Sequence, residues 1–599
     1  MDIFEILTGI GGLALFLYGM NVMGDSLSKL SGGKMESILE RLTSTRIRAV
    51  LLGAIVTAVI QSSSATTVMV VGFVNSGIMQ LGQAVGIIMG ANIGTTITSW
   101  ILSLTGISGG SLFVKLLKPS SFSPVLALTG IILTMTAGKS DKKKDIGTIL
   151  LGFSILMFGM ETMSGAVEPL AHNEQFTGIL TMFANPVLGM LAGTVLTAVI
   201  QSSSASVGIL QALCLTGAVG YKTAIPIIMG QNIGTCITAI LSSIGANRNA
   251  RRASMIHLYF NVIGTVLFMI VFYGINAFAP FTFLEEQASA MGIAVIHSLF
   301  NIACAVVLFP FAKGLVRLAT ITVKDSGKTS AEEAAQRKLP PELVSLDERF
   351  LGKPGFAMEL CRTAAAAMAR ETRECIFLAL ELLEGYNETS AAEVVQKEQL
   401  IDSYEDILGT YLVKLSGKDL SRADSQTLSV LLHCTSDLER ISDHAVNILD
   451  SIAEQKARKQ EFSEEAMKEL GVLIRAVHEI VDMTVEDFIR KDIAGAICVE
   501  PLEEVIDGLN VSLRQNHIRR LRSGACTIEL GISLEDIITD LERVSDHCSN
   551  IAVCMIQVNE DVFDTHEYID VNMKQSAWFT EEVKRWQKVY YIPVRKEGV

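Results

Sequence analysis

Two runs of hydroxyl and amide side chains, Gln61-Ser62-Ser63-Ser64 and Gln201-Ser202-Ser203-Ser204, lie inside stretches that are otherwise apolar. Four consecutive hydrogen-bonding side chains at membrane depth are costly unless they pack against protein or line a wet cavity. Small polar residues that merely let helices approach are spaced every four residues, so a contiguous run would waste most of them. The ends of broken helices supply ion chemistry: free N–H groups at an N-terminus receive an anion, while unwound carbonyls and hydroxyl oxygens suit Na⁺. No Lys or Arg occurs within 50–103 or 187–221, so a site built from these segments cannot neutralise a multiply charged anion by itself. An anion held there requires cations bound beside it, which amounts to coupled symport; a neutral or zwitterionic solute fits a polar cavity equally well.

The elements that position these runs are duplicated. Val56-Thr-Ala-Val-Ile60 leads into the first run and Leu196-Thr-Ala-Val-Ile200 into the second. The register then holds without a gap, because Ile87-Ile-Met-Gly-Ala-Asn-Ile-Gly-Thr95 matches Ile227-Ile-Met-Gly-Gln-Asn-Ile-Gly-Thr235. Two copies of one membrane unit place the polar runs at the repeat interface. Thr67, Gly86 and Thr96 are replaced by Val207, Pro226 and Cys236, so the two halves need not bind equivalent ions.

Charge divides the 599 residues in two: 1–325 carry 18 Lys and Arg against 13 Asp and Glu, leaving 31 against 50 for the rest. A polytopic membrane domain followed by a soluble acidic domain is expected, the latter unsuited to nucleic acid. Ten cysteines without a Cys-x-x-Cys pair read as reduced thiols. The N-terminus, with Asp2 and Glu5, is expected to be a retained first membrane helix rather than a cleaved signal. Apolar segments fall at about 4–24, 48–76, 81–103, 122–138, 146–166, 187–216, 222–245, 254–280 and 291–312. Seven suit one crossing each, since a span takes about 20 residues. The two with polar runs would make roughly 43 Å of helix, too long for a hydrocarbon core of about 30 Å. Broken at the run, they become half-length arms. If each arm pair folds back as a re-entrant hairpin, the repeats are inverted and the basic loops 25–47, 139–145 and 246–252 share one side with Lys313 and Arg317. The opposite loops, 104–111, 167–186 and 281–290, contain no Lys or Arg. The positive-inside rule makes the basic side cytoplasmic and favours hairpins over crossings. His257-x-x-x-Asn261 and His297-x-x-x-Asn301 form a second pair, read as interhelical hydrogen-bond clamps ahead of an ion or proton role.

The doubled Gln-Ser-Ser-Ser, each followed by Asn-Ile-Gly-Thr, resembles the type II sodium/phosphate cotransporter family, in particular bacterial members with a fused cytoplasmic domain. The likeness covers about 1–315. It implies Na⁺-coupled symport of inorganic phosphate by alternating access in the plasma membrane. Gln61, Ser62, Ser63, Ser64, Gln201, Ser202, Ser203 and Ser204 match the substrate and ion region. Thr66 and Ser206 are the next hydroxyls in register, with Asn92, Thr95, Asn232 and Thr235 as second choices. Direction of flux is not encoded: import is the default and export or a phosphate-sensing role stands as an alternative. No nucleophile–base pair, nucleotide loop or His-rich zinc motif suggests an enzyme.

Residues 355–560 are expected to be long helices, with Pro501 their only proline. Asp437-Leu-Glu-Arg-Ile-Ser-Asp-His444 recurs as Asp540-Leu-Glu-Arg-Val-Ser-Asp-His547. Each repeat has a Glu-x-x-x-Asp upstream, Glu398/Asp402 and Glu503/Asp507. Carboxylates at i, i+4 share a helix face and repel unless a cation lies between them. A metal cluster and an ion-pair network with Arg440 and Arg543 are both consistent with that. Two three-helix bundles with doubled Glu-x-x-x-Asp resemble the PhoU family of phosphate-signalling regulators, which bind iron or other divalent metals there. The resemblance implies metal contact at Glu439, Asp443, Glu542 and Asp546, then Glu398, Asp402, Glu503 and Asp507, with His444 and His547 as further candidates. The whole is therefore expected to be all-α. The membrane domain is 1–320, with repeats 1–138 and 141–280 and an extra helix 291–312. A linker 321–354, a PhoU-like cytoplasmic domain 355–560 and an extension 561–599 follow. Phosphate, sodium and the bilayer are the expected partners, and a homodimer and phosphate-signalling proteins are candidates.

Overall fold

The computed structural model describes residues 3–31, 45–106, 119–138, 140–169, 178, 180, 182–324, 339–557, 574 and 576–593. Most of the loops 25–47 and 104–111, half of 167–186, the middle of the linker and most of the C-terminal extension lie outside the described residues. The chain divides into two compact units, Met1–Phe356 and Ala357–Val599.

The first unit is built from helices α1 (Ile3–Ser31), α2 (Arg46–Ile60), α3 (Ser63–Asn75), α4 (Leu81–Ser103), α5 (Pro119–Thr136), α6 (Asp141–Val167), α7 (Pro186–Ile200), α8 (Ser203–Leu215), α9 (Tyr221–Gly234), α10 (Cys236–Ser242), α11 (Arg248–Phe278), α12 (Ala290–Leu308) and α13 (Ala312–Thr322). Among the described residues, six helical stretches are long and apolar enough to cross a membrane: Ile3–Leu27, Leu81–Gly106, Lys142–Val167, Tyr221–Ser242, Arg248–Phe278 and Ala290–Leu308. The segment expected at 122–138 forms a shorter apolar helix, Ser121–Thr136.

Both long polar-run segments break where the amide meets the first hydroxyl. Gln61 and Gln201 adopt left-handed backbone, each with φ 59°, and end α2 and α7 by donating N–H to the carbonyls of Thr57 and Thr197. Ser62 and Ser202 are extended, and each Oγ accepts from the N–H three residues on, at Ala65 and Ala205. Each Gln-Ser pair is thus a C-cap fused to an N-cap. A non-glycine residue held left-handed costs on the order of 1–3 kcal/mol, a strain that persists only where the surroundings over-determine it.

Glycines set the packing around each break. A Cβ at Gly90 on α4 would overlap the Val50 carbonyl oxygen on α2, and one at Gly230 on α9 would overlap that of Met190 on α7. Gly53 and Gly193 meet the carbonyls of Ile87 and Ile227 in the same way, so backbone packs on backbone in both pairs. α1 and α6 are joined likewise, Gly12 against Gly159 and Met163 and Gly19 against Gly152 and Leu156. Rising numbers on one helix meet falling numbers on the other, so α1 and α6 run antiparallel. Under the 140-residue shift of the duplication, Gly12 and Gly19 correspond to Gly152 and Gly159. Around this seam Phe16, Met20, Met23, Leu156 and Met160 are buried together.

Contacts between helix ends fix which termini share a level. Asn75, ending α3, accepts at its carbonyl from Asn247 Nδ2 at 2.6 Å, just before α11 begins. At the other level, Tyr221 N–H, starting α9, reaches the Glu286 carbonyl at 3.1 Å. Gly106, past the end of α4, lies against Ala290 at the start of α12. The first unit also includes a strap, 339–356. Asp347 accepts from Asn75 Nδ2 at 2.7 Å and pairs with Arg349, whose Nε donates to the Ser242 carbonyl at 3.0 Å. Phe350 and Phe356 each lie 5.3 Å from the Phe73 ring, with Phe350 over Gly72.

The second unit contains α14 (Pro354–Glu384, its start in the first unit), α15 (Glu388–Ser416), α16 (Arg422–Ala457), α17 (Glu464–Arg490), α18 (Val499–Arg522), α19 (Ile528–Gln557) and α20 (Ala577–Val589). Ser421, Ser463 and Asn387 cap their helices through side-chain oxygens. Leu470, Leu473, Val477, Ile480 and Val481 are buried on one stripe of α17, the spacing of a helix packed in a bundle. α15 packs on α16, and α14 is tied to both by Cys375 on the Val394 carbonyl and Thr372 on the Leu438 carbonyl, while α17, α18 and α19 pack together; the two groups meet along α16 and α19. All ten cysteines are unpaired.

Candidate substrate cavity and acidic clusters

The two helix breaks come together. Ser63 Oγ and Ser203 Oγ are 3.5 Å apart in the interior, and Ser64 Oγ is 3.5 Å from the Gln201 carbonyl oxygen. All eight residues of the two Gln-Ser-Ser-Ser runs line one cavity of about 260 Å³. A single water requires only about 10–15 Å³ of such space, so an oxyanion with hydrated cations has room. The N-termini of α3 and α8 both begin at this cavity, each contributing unpaired N–H groups and roughly half a positive charge. The halves are not equivalent. Gln61 is buried, its Oε1 accepting from Thr98 Oγ1 at 2.9 Å, whereas Gln201 is exposed and Thr238 bonds the Thr235 carbonyl instead.

The other expected site residues stand behind the cavity wall. Thr66 Oγ1 donates to the Ser62 carbonyl at 3.1 Å and accepts from Thr57, a bond whose counterparts Ser206 and Thr197 do not make. Thr95 and Thr235 bond back to the carbonyls of Ala91 and Gln231, each at 3.0 Å. Asn92 Nδ2 donates to Asn261 Oδ1 and Asn232 Nδ2 to Asn301 Oδ1, both at 2.7 Å. Asn261 and Asn301 in turn hold the carbonyls of His257 and His297. Each Asn-Ile-Gly-Thr run is thereby clipped to a His-x-x-x-Asn helix, the geometry of an interhelical clamp.

Sequence reasoning missed three polar residues on the cavity wall: Asn21 and Asp25 of α1, and Lys353 of the strap. Asn21 and Asp25 are i, i+4 near the end of a membrane helix, a visible signal. Lys353 gave none, because nothing local ties it to serines some 150–290 residues earlier. The inference that no cationic side chain serves the site holds for the hairpin segments and fails for the cavity as a whole.

The family model for the Na⁺/Pi-cotransporter matches residues 15–165 and 155–284, and that for the PhoU domain matches 366–452 and 471–555. The chain belongs to the Na⁺/Pi-cotransporter family, with a fused PhoU domain. "Uncharacterized protein YqeW" of Bacillus subtilis is 30% identical over 315 residues, 52% of this chain and 96% of that protein. The "Putative inorganic phosphate export protein YjbB" of Escherichia coli is 23% identical over 580 residues, covering 93% of this chain and 99% of the relative. The rat "Sodium-dependent phosphate transport protein 2A" is 35% identical over 98 residues, 16% of this chain and 15% of its own length. Members of the Na⁺/Pi-cotransporter family are transporters, not enzymes, and this one is an all-α membrane protein.

In the PhoU region the eight acids gather by bundle. Glu503, Asp507 and Asp546, from α18 and α19, bring carboxylate oxygens within 4.8 Å of one another. Burial, with Glu500 and Asp507 nearby, pushes the Glu503 carboxyl up to about 9. Burial beside Glu542 and Asp546 lifts Asp507 to about 6, and Asp507 Oδ1 is a buried oxygen without a hydrogen-bond partner among the described residues. Glu398, Asp402, Glu439 and Asp443 influence one another between α15 and α16, where burial and Asp443 raise Glu439 to about 7, but among the described residues only Glu503, Asp507 and Asp546 bring three ligand oxygens that close. An orphaned oxygen among crowded carboxylates fits a hard divalent cation. Glu542 is also held by Arg514 at 2.8 Å and Asp546 by Arg543 at 3.3 Å, so part of the set is ion-paired. The histidines go elsewhere: His444 Nδ1 pairs with Asp540 and His547 Nδ1 with Asp437, each at 2.8 Å, a reciprocal clasp between the two bundles.

A carboxyl raised in the folded state favours the protonated fold. In metal-free protein, stability therefore falls as pH rises from the ordinary carboxylate value of about 4.3 toward about 9. Thermal unfolding of the PhoU region within the full-length protein should show that loss. Mn²⁺ should restore it at the alkaline end, and Glu503→Gln should remove the Mn²⁺ rescue together with the part of the loss above about pH 7, where Asp507 and Glu439 are already ionised. A flat profile in metal-free wild type contradicts the assignment.

Proposed function

We propose that the protein is a sodium-coupled phosphate symporter working by alternating access, with a cytoplasmic PhoU-like domain that regulates it through bound divalent metal. One observation carries this reading: both Gln-Ser-Ser-Ser breaks, 140 residues apart, line a single polar cavity. Hydroxyl oxygens, exposed carbonyls and two helix N-termini supply the ligands that a phosphate with Na⁺ beside it requires.

Inverted repeats with re-entrant hairpins are part of the proposal, and three contacts support them. α1 and its counterpart α6 are antiparallel, as inversion demands. The end of α3 meets the loop before α11, on the level where α4 begins, so the arm pair α2–α3 returns to the side it left. The end of α8 and the start of α9 lie instead beside 286–288, the opposite level. Lys142–Lys144, Arg248, Arg251 and Arg252 fall on the first level, and Lys222 on the second is paired with Glu285 at 3.0 Å. The positive-inside rule then makes the first level cytoplasmic. The domain limits belong to the same proposal: membrane domain 1–320, linker 321–354, PhoU-like domain 355–560 and extension 561–599, with the linker's end, 339–354, packed in the first compact unit.

Export is a second reading, favoured by the description of the full-length YjbB relatives. A symporter runs with its combined gradients, so both readings share one mechanism and differ in the gradients imposed. Purified protein in proteoliposomes should accumulate labelled phosphate when Na⁺ is higher outside, and lose preloaded phosphate when the gradient is reversed. Phosphate movement indifferent to the Na⁺ gradient would sink the coupling, and no movement at all would leave a sensor.

A further inference from the structure

We propose that Lys353 is the residue that faces the transported anion in the cavity, and that Asp25 is its acidic counterpart for the cation. This deepens the symport reading and rests on it. Both residues line the same cavity as the eight Gln-Ser-Ser-Ser side chains. Asp25 is exposed and Lys353 half-buried, and among the described residues neither side chain makes a hydrogen bond or an ion pair. Opposite charges that line one polar cavity without pairing are available to ligands of opposite sign.

The charge balance indicates why they are needed. Two helix N-termini bring about half a charge each, roughly one positive charge in all, which is short of what a phosphate dianion presents. The Lys353 ammonium adds a full unit, making about two. Asp25 then leaves one negative charge that only a bound cation can offset, so anion and Na⁺ are drawn to the same space. Asn21, one helical turn before Asp25 on α1, adds an amide to the same wall.

The position of Lys353 is built rather than incidental. The strap that carries it is fastened to the end of the α3 arm by Asp347 on Asn75, to the end of α10 by Arg349 on the Ser242 carbonyl, and by Phe350, fully buried against Phe73. The substrate cavity is therefore completed by a segment from outside both repeats, lying immediately before the helix that enters the second unit.

The test uses full-length protein in proteoliposomes, with phosphate and Na⁺ varied separately. Lys353→Met should raise the half-saturating phosphate concentration roughly ten- to hundredfold, with the Na⁺ requirement at saturating phosphate retained and Lys353→Arg recovering most of the loss. Asp25→Asn should do the converse, raising the Na⁺ requirement and sparing that for phosphate. Lysine and aspartate of merely structural use would lower the maximal rate and the melting temperature while leaving both half-saturation values in place, and that result overturns the assignment. If Lys353→Met folds poorly in membranes, equilibrium phosphate binding by the purified variant decides: affinity equal to wild type overturns the proposal. Wild-type protein that neither carries nor binds phosphate sinks the symport reading itself, whereas normal wild-type transport with an unchanged phosphate requirement in Lys353→Met removes this assignment alone.

Discussion

Ser63→Ala and Ser203→Ala should each lower phosphate uptake by roughly ten- to hundredfold in affinity, the equivalent of about 1.5–3 kcal/mol for a lost contact to an ion. The two hydroxyls are 3.5 Å apart and both line the cavity, so neither is spare. Neither Oγ caps its helix, because that task falls to Ser62 and Ser202. Membrane levels of both variants should therefore equal wild type, whereas Ser62→Ala and Ser202→Ala lose a cap as well, at about 0.5–2 kcal/mol of stability. Uptake kinetics with expression measured in parallel distinguish the two classes, and wild-type kinetics in both Ser63→Ala and Ser203→Ala would contradict the site.

Gly90→Ala and Gly230→Ala should each prevent recovery of folded protein. The added Cβ would overlap a backbone carbonyl oxygen, of Val50 or of Met190, and a carbonyl in a packed helix cannot rotate aside as a flexible side chain can. Overpacking of even adaptable cores costs about 1–3 kcal/mol, and a backbone clash within a pair of helices lies at or above the upper end. Gly82, on the same α4 helix, has open space around its would-be Cβ. Gly82→Ala should be neutral or gain up to about 1 kcal/mol from helix propensity. Size-exclusion profiles of detergent extracts compare the three directly, and a monodisperse Gly90→Ala protein would show that α2 and α4 can separate.

Much of this was legible because the polar runs violate the rule for their surroundings. A Gln-Ser-Ser-Ser inside a 29- or 30-residue apolar stretch announces a broken helix, and the break falls between Gln61 and Ser63 and between Gln201 and Ser203. Duplication carried the inference that the two breaks belong together. The role of Gly90 and Gly230 was not legible, since Ile-Ile-Met-Gly matched as a string without showing which neighbour it approaches. Asn92 and Asn232 are second choices that the resemblance implies, and which partner each amide takes is not legible in the string: Asn92 donates to Asn261 and Asn232 to Asn301. Lys353 was invisible because its segment reads as polar linker, and only the anchoring of Asp347, Arg349 and Phe350 brings it to the membrane helices. In the soluble unit the carboxylate pairs were evident from spacing. That Asp437 and Asp540 would take His547 and His444 across the bundles was not, because reciprocity between repeats leaves no mark on either copy alone.

The measurement that bears most directly on a shared anion and cation site is equilibrium binding of phosphate to the purified protein as a function of Na⁺. Linkage requires that if Na⁺ tightens phosphate binding, phosphate tightens Na⁺ binding by the same factor. Phosphate affinity should rise with Na⁺, Na⁺ affinity should gain by the same factor with phosphate, and both gains should be lost in Ser63→Ala combined with Ser203→Ala. Phosphate binding of equal strength with and without Na⁺ would contradict the shared site.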